Sequence, residues 1–131
     1  MKKIIKSEEE WKKILTEEEF SVTRKKGTEV AFSGKEFKII NEGSFNCKCC
    51  NANLFKSSTK YDSGCGWPRF YDQISPEAII KKNDNSYGVN RIEILCAKCD
   101  SHLGHIFDDG PNPTGQRYCV NSLSINYKEN E

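Results

Sequence analysis

The chain has no apolar run that approaches the roughly 20 residues a membrane-spanning helix needs, so no membrane association is expected. It has no block of one charge. Lys and Arg number 20 against 19 Asp and Glu, and no basic stripe is evident, which argues against a nucleic-acid partner. Internal repeats, low-complexity tracts and linkers are also lacking, so residues 1–131 read as a single domain able to bury one core. The first residues, Met1 to Lys6, contain no apolar stretch of the kind that directs export, and the expected location is the cytoplasm. Histidine is scarce, with two residues in all. Cysteine is not: there are seven. In a compartment that keeps thiols reduced, so many cysteines point to metal binding or redox chemistry more than to a disulfide framework.

The chain begins with helix signals. Ser7 followed by Glu10 is a capping box, with Trp11, Ile14 and Leu15 expected on one helical face. Thr16 and Glu19 repeat the device, with Leu15 and Phe20 placed to form a hydrophobic staple and Gly27 able to end the second helix. From Thr28 the pattern becomes that of strands. Glu36 to Ile40 and Ser44 to Cys47 flank Asn41-Glu42-Gly43, which reads as a hairpin turn. Arg91 to Cys96 and Leu123 to Tyr127 alternate polar and apolar, and turn-rich stretches separate them at 61–66, 83–88 and 108–115. Ser75-Pro76-Glu77-Ala78 could open one short helix. The expected architecture is mainly β: short helices over about 7–26 on a body of antiparallel sheets over about 28–127.

Cys47-Lys48-Cys49-Cys50 and Cys96-Ala97-Lys98-Cys99 each hold a Cys-x-x-Cys pair. Each pair can close a tight turn that aims two thiolates at one ion, and two pairs make a tetrahedral all-sulfur site, the usual structural zinc arrangement. Cys47, Cys50, Cys96 and Cys99 are therefore the candidate ligands. The ion would fasten distant parts of the sheet together. A thioredoxin-type redox pair is the competing reading, and it needs a βαβ context that neither pair has. Cys49 is left over beside the first pair.

Cys119 lies in Arg117-Tyr118-Cys119-Val120-Asn121. As a strand, this stretch puts Arg117, Cys119 and Asn121 on one face and Tyr118 and Val120 on the other. A cation beside a thiol favours the nucleophilic thiolate. The plainer reading of Cys119 is a buried core residue, since free cysteine is among the most buried types. Cys65 sits between glycines in Ser63-Gly64-Cys65-Gly66-Trp67-Pro68, a backbone path that could carry its sulfur to a partner thiol. Trp67 is either core or an apolar wall that suits a methionine-like sulfur group. His102 and His105 follow the second cysteine pair directly. The plain reading of each is an ordinary surface or core histidine, but their clustering and histidine's aptitude for proton transfer near neutral pH favour an acid/base role.

Several of these stretches together carry a resemblance. Ser63 to Pro68, His102-Leu103-Gly104-His105-Ile106-Phe107-Asp108-Asp109-Gly110-Pro111, Pro113-Thr114-Gly115 and Arg117 to Ser122 closely resemble methionine-R-sulfoxide reductases of the B class, in order, from about Thr16 to Tyr127. The resemblance implies a zinc-clamped, antiparallel β fold, and the chain is expected to act as a monomer. It implies reduction of methionine-R-sulfoxide in peptides and proteins, an oxidoreductase activity that repairs oxidised proteins. By motif position Cys119 is similar to the family's nucleophile and Cys65 to its resolving cysteine, joined in a disulfide that thioredoxin reduces. Trp67 resembles the residue packed on the substrate methyl. His102, His105 and Asn121 resemble the polar groups around the sulfoxide oxygen, and Arg117 and Asp109 the supporting residues of the pocket. Cys47, Cys50, Cys96 and Cys99 occupy the family's zinc positions. Arg69 departs from the small serine common after the Trp-Pro pair, and Cys49 is unusual. A zinc-stabilised binding module, with Cys65 and Cys119 as ordinary core residues, is the alternative from another class.

Overall fold

The computed structural model describes residues 4–25, 42–61, 68–85, 88 and 90–129. Among the described residues two capping boxes open two α-helices. At α1 (Glu8–Ile14) the Ser7 hydroxyl accepts from the Glu10 N–H at 3.2 Å and the Glu10 carboxylate accepts from the Ser7 N–H at 3.1 Å. At α2 (Glu17–Arg24) Thr16 and Glu19 do the same at 3.1 and 2.8 Å. Helices this short are unstable alone and hold by packing. Trp11, Leu15 and Phe20 supply that packing, each buried in the core.

The strands are β1 (Gly43–Cys47), β2 (Asn53–Lys56), β3 (Arg69–Phe70), β4 (Ile79–Asp84), β5 (Arg91–Cys96), β6 (His102–Phe107), β7 (Arg117–Val120) and β8 (Ile125–Glu129). Among the described residues they form two antiparallel sheets, ordered β2-β1-β8 and β3-β7-β6-β5-β4. The fold is thus mainly β, as the sequence pattern implies. Aromatic rings join the sheets. Phe55 of the smaller stacks on Phe70 of the larger at 4.2 Å between centroids, Phe45 meets Phe70 edge-on at 5.0 Å, and Tyr118 meets Phe55 at 5.6 Å. The alternation of β7 follows from this core. Tyr118 and Val120 point into it, which turns Arg117 and Cys119 to the opposite face. No helix of the described residues is long and apolar enough to cross a membrane.

Several expectations are corrected. Ile14 is exposed while Trp11 and Leu15 are buried, because the helix ends at Ile14 and Leu15 has already taken an extended conformation. The second helix stops at Arg24, and Gly27 lies outside the described residues, as do Glu36 to Asn41 of the expected hairpin. Gly43, expected in its turn, is the first residue of β1. A Cβ there would stand 2.1 Å from the Lys128 carbonyl oxygen, so the close pairing with β8 requires glycine. Ser75-Pro76 opens only one turn, closed by the Ala78 N–H on the Ser75 carbonyl at 3.2 Å, before the β-branched Ile79 and Ile80 join β4. The last strand begins at Ile125, because Ser122–Ser124 form a 3-10 turn.

Phe70 is fully buried between two other rings. Phe70→Ala is expected to lower unfolding free energy by about 3–5 kcal/mol, read as a shift of the urea midpoint.

Candidate functional site

A single-residue bulge builds the face that carries the ionisable groups. Ile94 of β5 pairs with Gly104 of β6, but the next residue, Leu95, pairs with His102, so Leu103 is extra. In a regular strand His102 and His105, three apart, would point to opposite faces. The extra residue brings both to one face, with ring centroids 5.7 Å apart. Gly104 allows β7 to come close here, since a Cβ on it would lie 2.0 Å from the Cys119 carbonyl oxygen. The register then sets Glu93, His105, Cys119 and Arg69 abreast across β5, β6, β7 and β3.

This face holds a cavity of about 140 Å³ lined chiefly by His102, His105, Phe107, Arg117, Cys119 and Asn121, with Arg91 also at its wall. Since one water needs roughly 10–15 Å³ by the same kind of measure, the space suits a side-chain terminus of a few heavy atoms. Cys119 is half-buried. Arg117 is fixed from two sides. Its guanidinium lies 4.2 Å from the Phe107 ring and donates twice to Asp109, at 2.7 and 3.1 Å. Those hydrogen bonds hold the exposed Asp109 carboxyl below its usual range. Asn121 is buried, and its backbone and side-chain N–H groups both donate to the Leu103 carbonyl, at 2.9 and 3.3 Å.

Each histidine is held by a carboxyl group. His102 Nδ1 is 2.7 Å from Glu93 Oε2, with both side chains almost fully buried. His105 Nε2 is 2.8 Å from Asp84 Oδ2, and Arg91 approaches the same oxygen at 3.6 Å. Such contacts fix ring orientation. Glu93, Asp84 and Arg91 escape a reading of the sequence because their partners lie on neighbouring strands. In the fold Ile92 is exposed and Glu93 is buried, the reverse of ordinary solvation, and the alternation of β5 alone gives no sign of it. Of the residues read from the sequence, Cys119, His102, His105, Asn121 and Arg117 meet at the cavity and Asp109 supports it through Arg117. Cys65 and Trp67 lie outside the described residues.

A second cluster lies apart from the cavity. The two Cys-x-x-Cys stretches are the turns of two hairpins, β1–β2 in one sheet and β5–β6 in the other. They share a geometry. The N–H of Asn51 donates to the Cys47 carbonyl and that of Asp100 to the Cys96 carbonyl, both at 2.8 Å, with Asn51 at φ 64° and Asp100 at φ 62°. Asn and Asp tolerate this left-handed conformation better than other side-chain-bearing residues. The sulfurs of Cys47, Cys50, Cys96 and Cys99 all lie within 4.8 Å of one another, with 3.6 Å for Cys47–Cys99 and for Cys50–Cys96. A tetrahedron with metal–sulfur bonds of about 2.3 Å has edges of about 3.8 Å, so the four fit one ion. Hydrogen bonding from Cys47 pulls the Cys50 thiol far down, while contacts with Cys49 and then Cys50 push Cys47 far up. Four thiols so close cannot all ionise unless a cation sits among them. Arg24 braces the cluster, donating to the Cys99 carbonyl at 2.7 Å and approaching its sulfur at 3.7 Å.

Residues 15–129 match the family described as the SelR domain. Proteins named "Peptide methionine sulfoxide reductase MsrB" are 54% identical in Methanosarcina barkeri, over 99% of this chain and 92% of the relative, and 52% identical in Acinetobacter baylyi, over 100% and 94%. One from Leptospira interrogans is 51% identical over 95% of each chain.

The buried contact between Glu93 and His102 gives a stability prediction. Glu93→Leu leaves the His102 ring buried without its carboxyl and is expected to cost about 3 kcal/mol in urea unfolding, against less than about 0.5 kcal/mol for Glu42→Ala on the exposed surface.

Proposed function

The chain belongs to the SelR-domain family, the methionine sulfoxide reductases of the B class, and on that footing we propose that it reduces methionine-R-sulfoxide in peptides and proteins by thiol chemistry at Cys119. The observation that supports this most is the convergence of Cys119, two carboxyl-held histidines and Arg117 on one small cavity.

The sulfoxide oxygen is received by His102, His105 and Asn121, and Arg117, steadied by Asp109, adds positive charge at the wall. Trp67 packs on the substrate methyl. A sulfoxide sulfur is a poor electrophile until its oxygen is protonated, and stabilising that developing charge is usually the largest catalytic term. The Cys119 thiolate attacks the sulfur while His105, its cross-strand neighbour, delivers a proton to the oxygen. The oxygen passes to Cys119 as the sulfenic acid and the methionine thioether leaves. Sulfur of the substrate gains two electrons and sulfur of Cys119 loses two. The Cys65 thiolate then attacks the sulfenic sulfur, a second proton releases the oxygen as water, and a Cys65–Cys119 disulfide results. Exchange with an external dithiol, thioredoxin, returns both thiols. Asp84 and Glu93 orient the histidines through their other ring nitrogens.

The four-cysteine cluster is a structural zinc site, since four thiolates in a tetrahedron match that ion's softness and geometry. The zinc supplies no chemistry to the cavity and joins the two sheets. The whole of 1–131 acts as one catalytic domain, with helices over about 7–26 and the β body over about 28–127. It works as a cytoplasmic monomer with neither nucleic acid nor membrane as partner.

Cys119→Ser is expected to abolish methionine formation. Cys65→Ser should yield roughly one methionine per enzyme and then stall with thioredoxin, and sustained turnover in that variant would remove the resolving role. Mass spectrometry after one equivalent of substrate should find the 65–119 linkage. Separately, metal analysis should find one zinc per chain, lost in Cys47→Ser and kept in Cys49→Ser, with a large fall in melting temperature accompanying the loss.

A further inference from the structure

Arg24 brings a positive charge against one of the four clustered sulfurs. It stands in the last turn of α2, where a cation suits the negative end of the helix. Its guanidinium lies over the Trp11 ring, 4.5 Å from the centroid. From there both terminal nitrogens reach the same residue. Nη2 donates to the Cys99 carbonyl at 2.7 Å, and Nη1 approaches the Cys99 sulfur at 3.7 Å. The indole and the carbonyl thus fix the planar fork, and its second arm is aimed at the sulfur. The two residues are 75 apart in the chain, so the Cys-x-x-Cys spacing does not announce the contact.

The contact answers a need of this cluster. Four thiolates around a divalent ion carry an excess of negative charge. Cys47, Cys96 and Cys99 are at most 2% exposed, so water does little to disperse that charge at these three residues. A hydrogen bond from a cation is of the stronger kind and can act in water's place. Lys48, inside the first cysteine turn, is directed elsewhere, to Glu19 at 3.1 Å.

We propose that Arg24 is a positioning residue of the metal site, which offsets the charge of the thiolate set by donating to the Cys99 sulfur and so slows loss of the ion. The proposal rests on the structural-zinc reading above and deepens it. It gives the N-terminal helices a part in holding the metal. Hydrogen-bond partners of metal ligands tune affinity by about 10- to 100-fold.

The test uses the whole chain loaded with zinc and, separately, with cobalt(II), which accepts a tetrahedral sulfur set and is coloured. Transfer of zinc to excess chelator under native conditions should be about 10- to 100-fold faster in Arg24→Met than in wild type. Arg24→Lys, which keeps the charge, should recover part of the difference. In the cobalt protein the sulfur-to-metal charge-transfer band should move to longer wavelength in Arg24→Met, because a thiolate that has lost a donor gives up electron density more readily. A merely structural role would leave that band in place. Ser7→Ala removes the cap of α1 without touching the cluster, and should change neither the band nor the release rate. An unmoved band in Arg24→Met, release no faster than in wild type, or equally fast release in Ser7→Ala overturns the proposal while the zinc reading stands. A wild-type chain that retains neither metal overturns both.

Discussion

The register of β6 against its neighbours is the constraint on which the site depends. One extra residue, Leu103, reverses the alternation between His102 and His105, and the close approach at Gly104 brings β7 beside them. Without the bulge His102 would turn to the core face and its hydrogen bond with the buried Glu93 would be lost. Local geometry and electrostatics are therefore coupled. A strand irregularity makes burial of a carboxyl group tolerable, and that carboxyl in turn holds a ring at the cavity wall. Bulges recur beside active sites because they re-aim side chains in this way.

The parts of the fold legible from sequence were those specified by near neighbours. Both capping boxes involve residues three apart, both cysteine turns span four residues, and the alternation of β7 lies within one strand. What escaped was set by contacts across the sheets. Ser75-Pro76 carries a sound helix start, but the two isoleucines that follow gain more by pairing with β5. Leu123 alternates correctly with Ile125, yet Ser124 folds back to place its hydroxyl on the His102 carbonyl at 2.9 Å and delays the strand. Glu93 looked like any polar position in an alternating strand, because nothing nearby in the chain announces His102 as its partner.

The two clusters of sulfur and nitrogen divide the work of the molecule. The cysteine turns lie at hairpin tips of different sheets, whereas the cavity lies on the face of the larger one. They are joined through β6, which leaves the second cysteine turn and immediately presents His102. The N-terminal helices are tied to the same turn, through the Ile4 N–H on the Lys98 carbonyl at 2.6 Å and through Arg24, whose guanidinium also covers Trp11 at 4.5 Å. A small domain with a limited core gains long-range order from such a junction.

The sulfur cluster is unequally shielded. Cys47, Cys96 and Cys99 are at most 2% exposed, but Cys50 is half-buried and Cys49 beside it likewise. Peroxide or a disulfide reagent attacking from solvent thus meets the cluster at one corner, where a spare thiol stands next to a ligand. Cys119 is half-buried too, so an oxidant has two routes into the protein, one at this corner of the cluster and one at the cavity, and scaffold and chemistry are exposed to it alike.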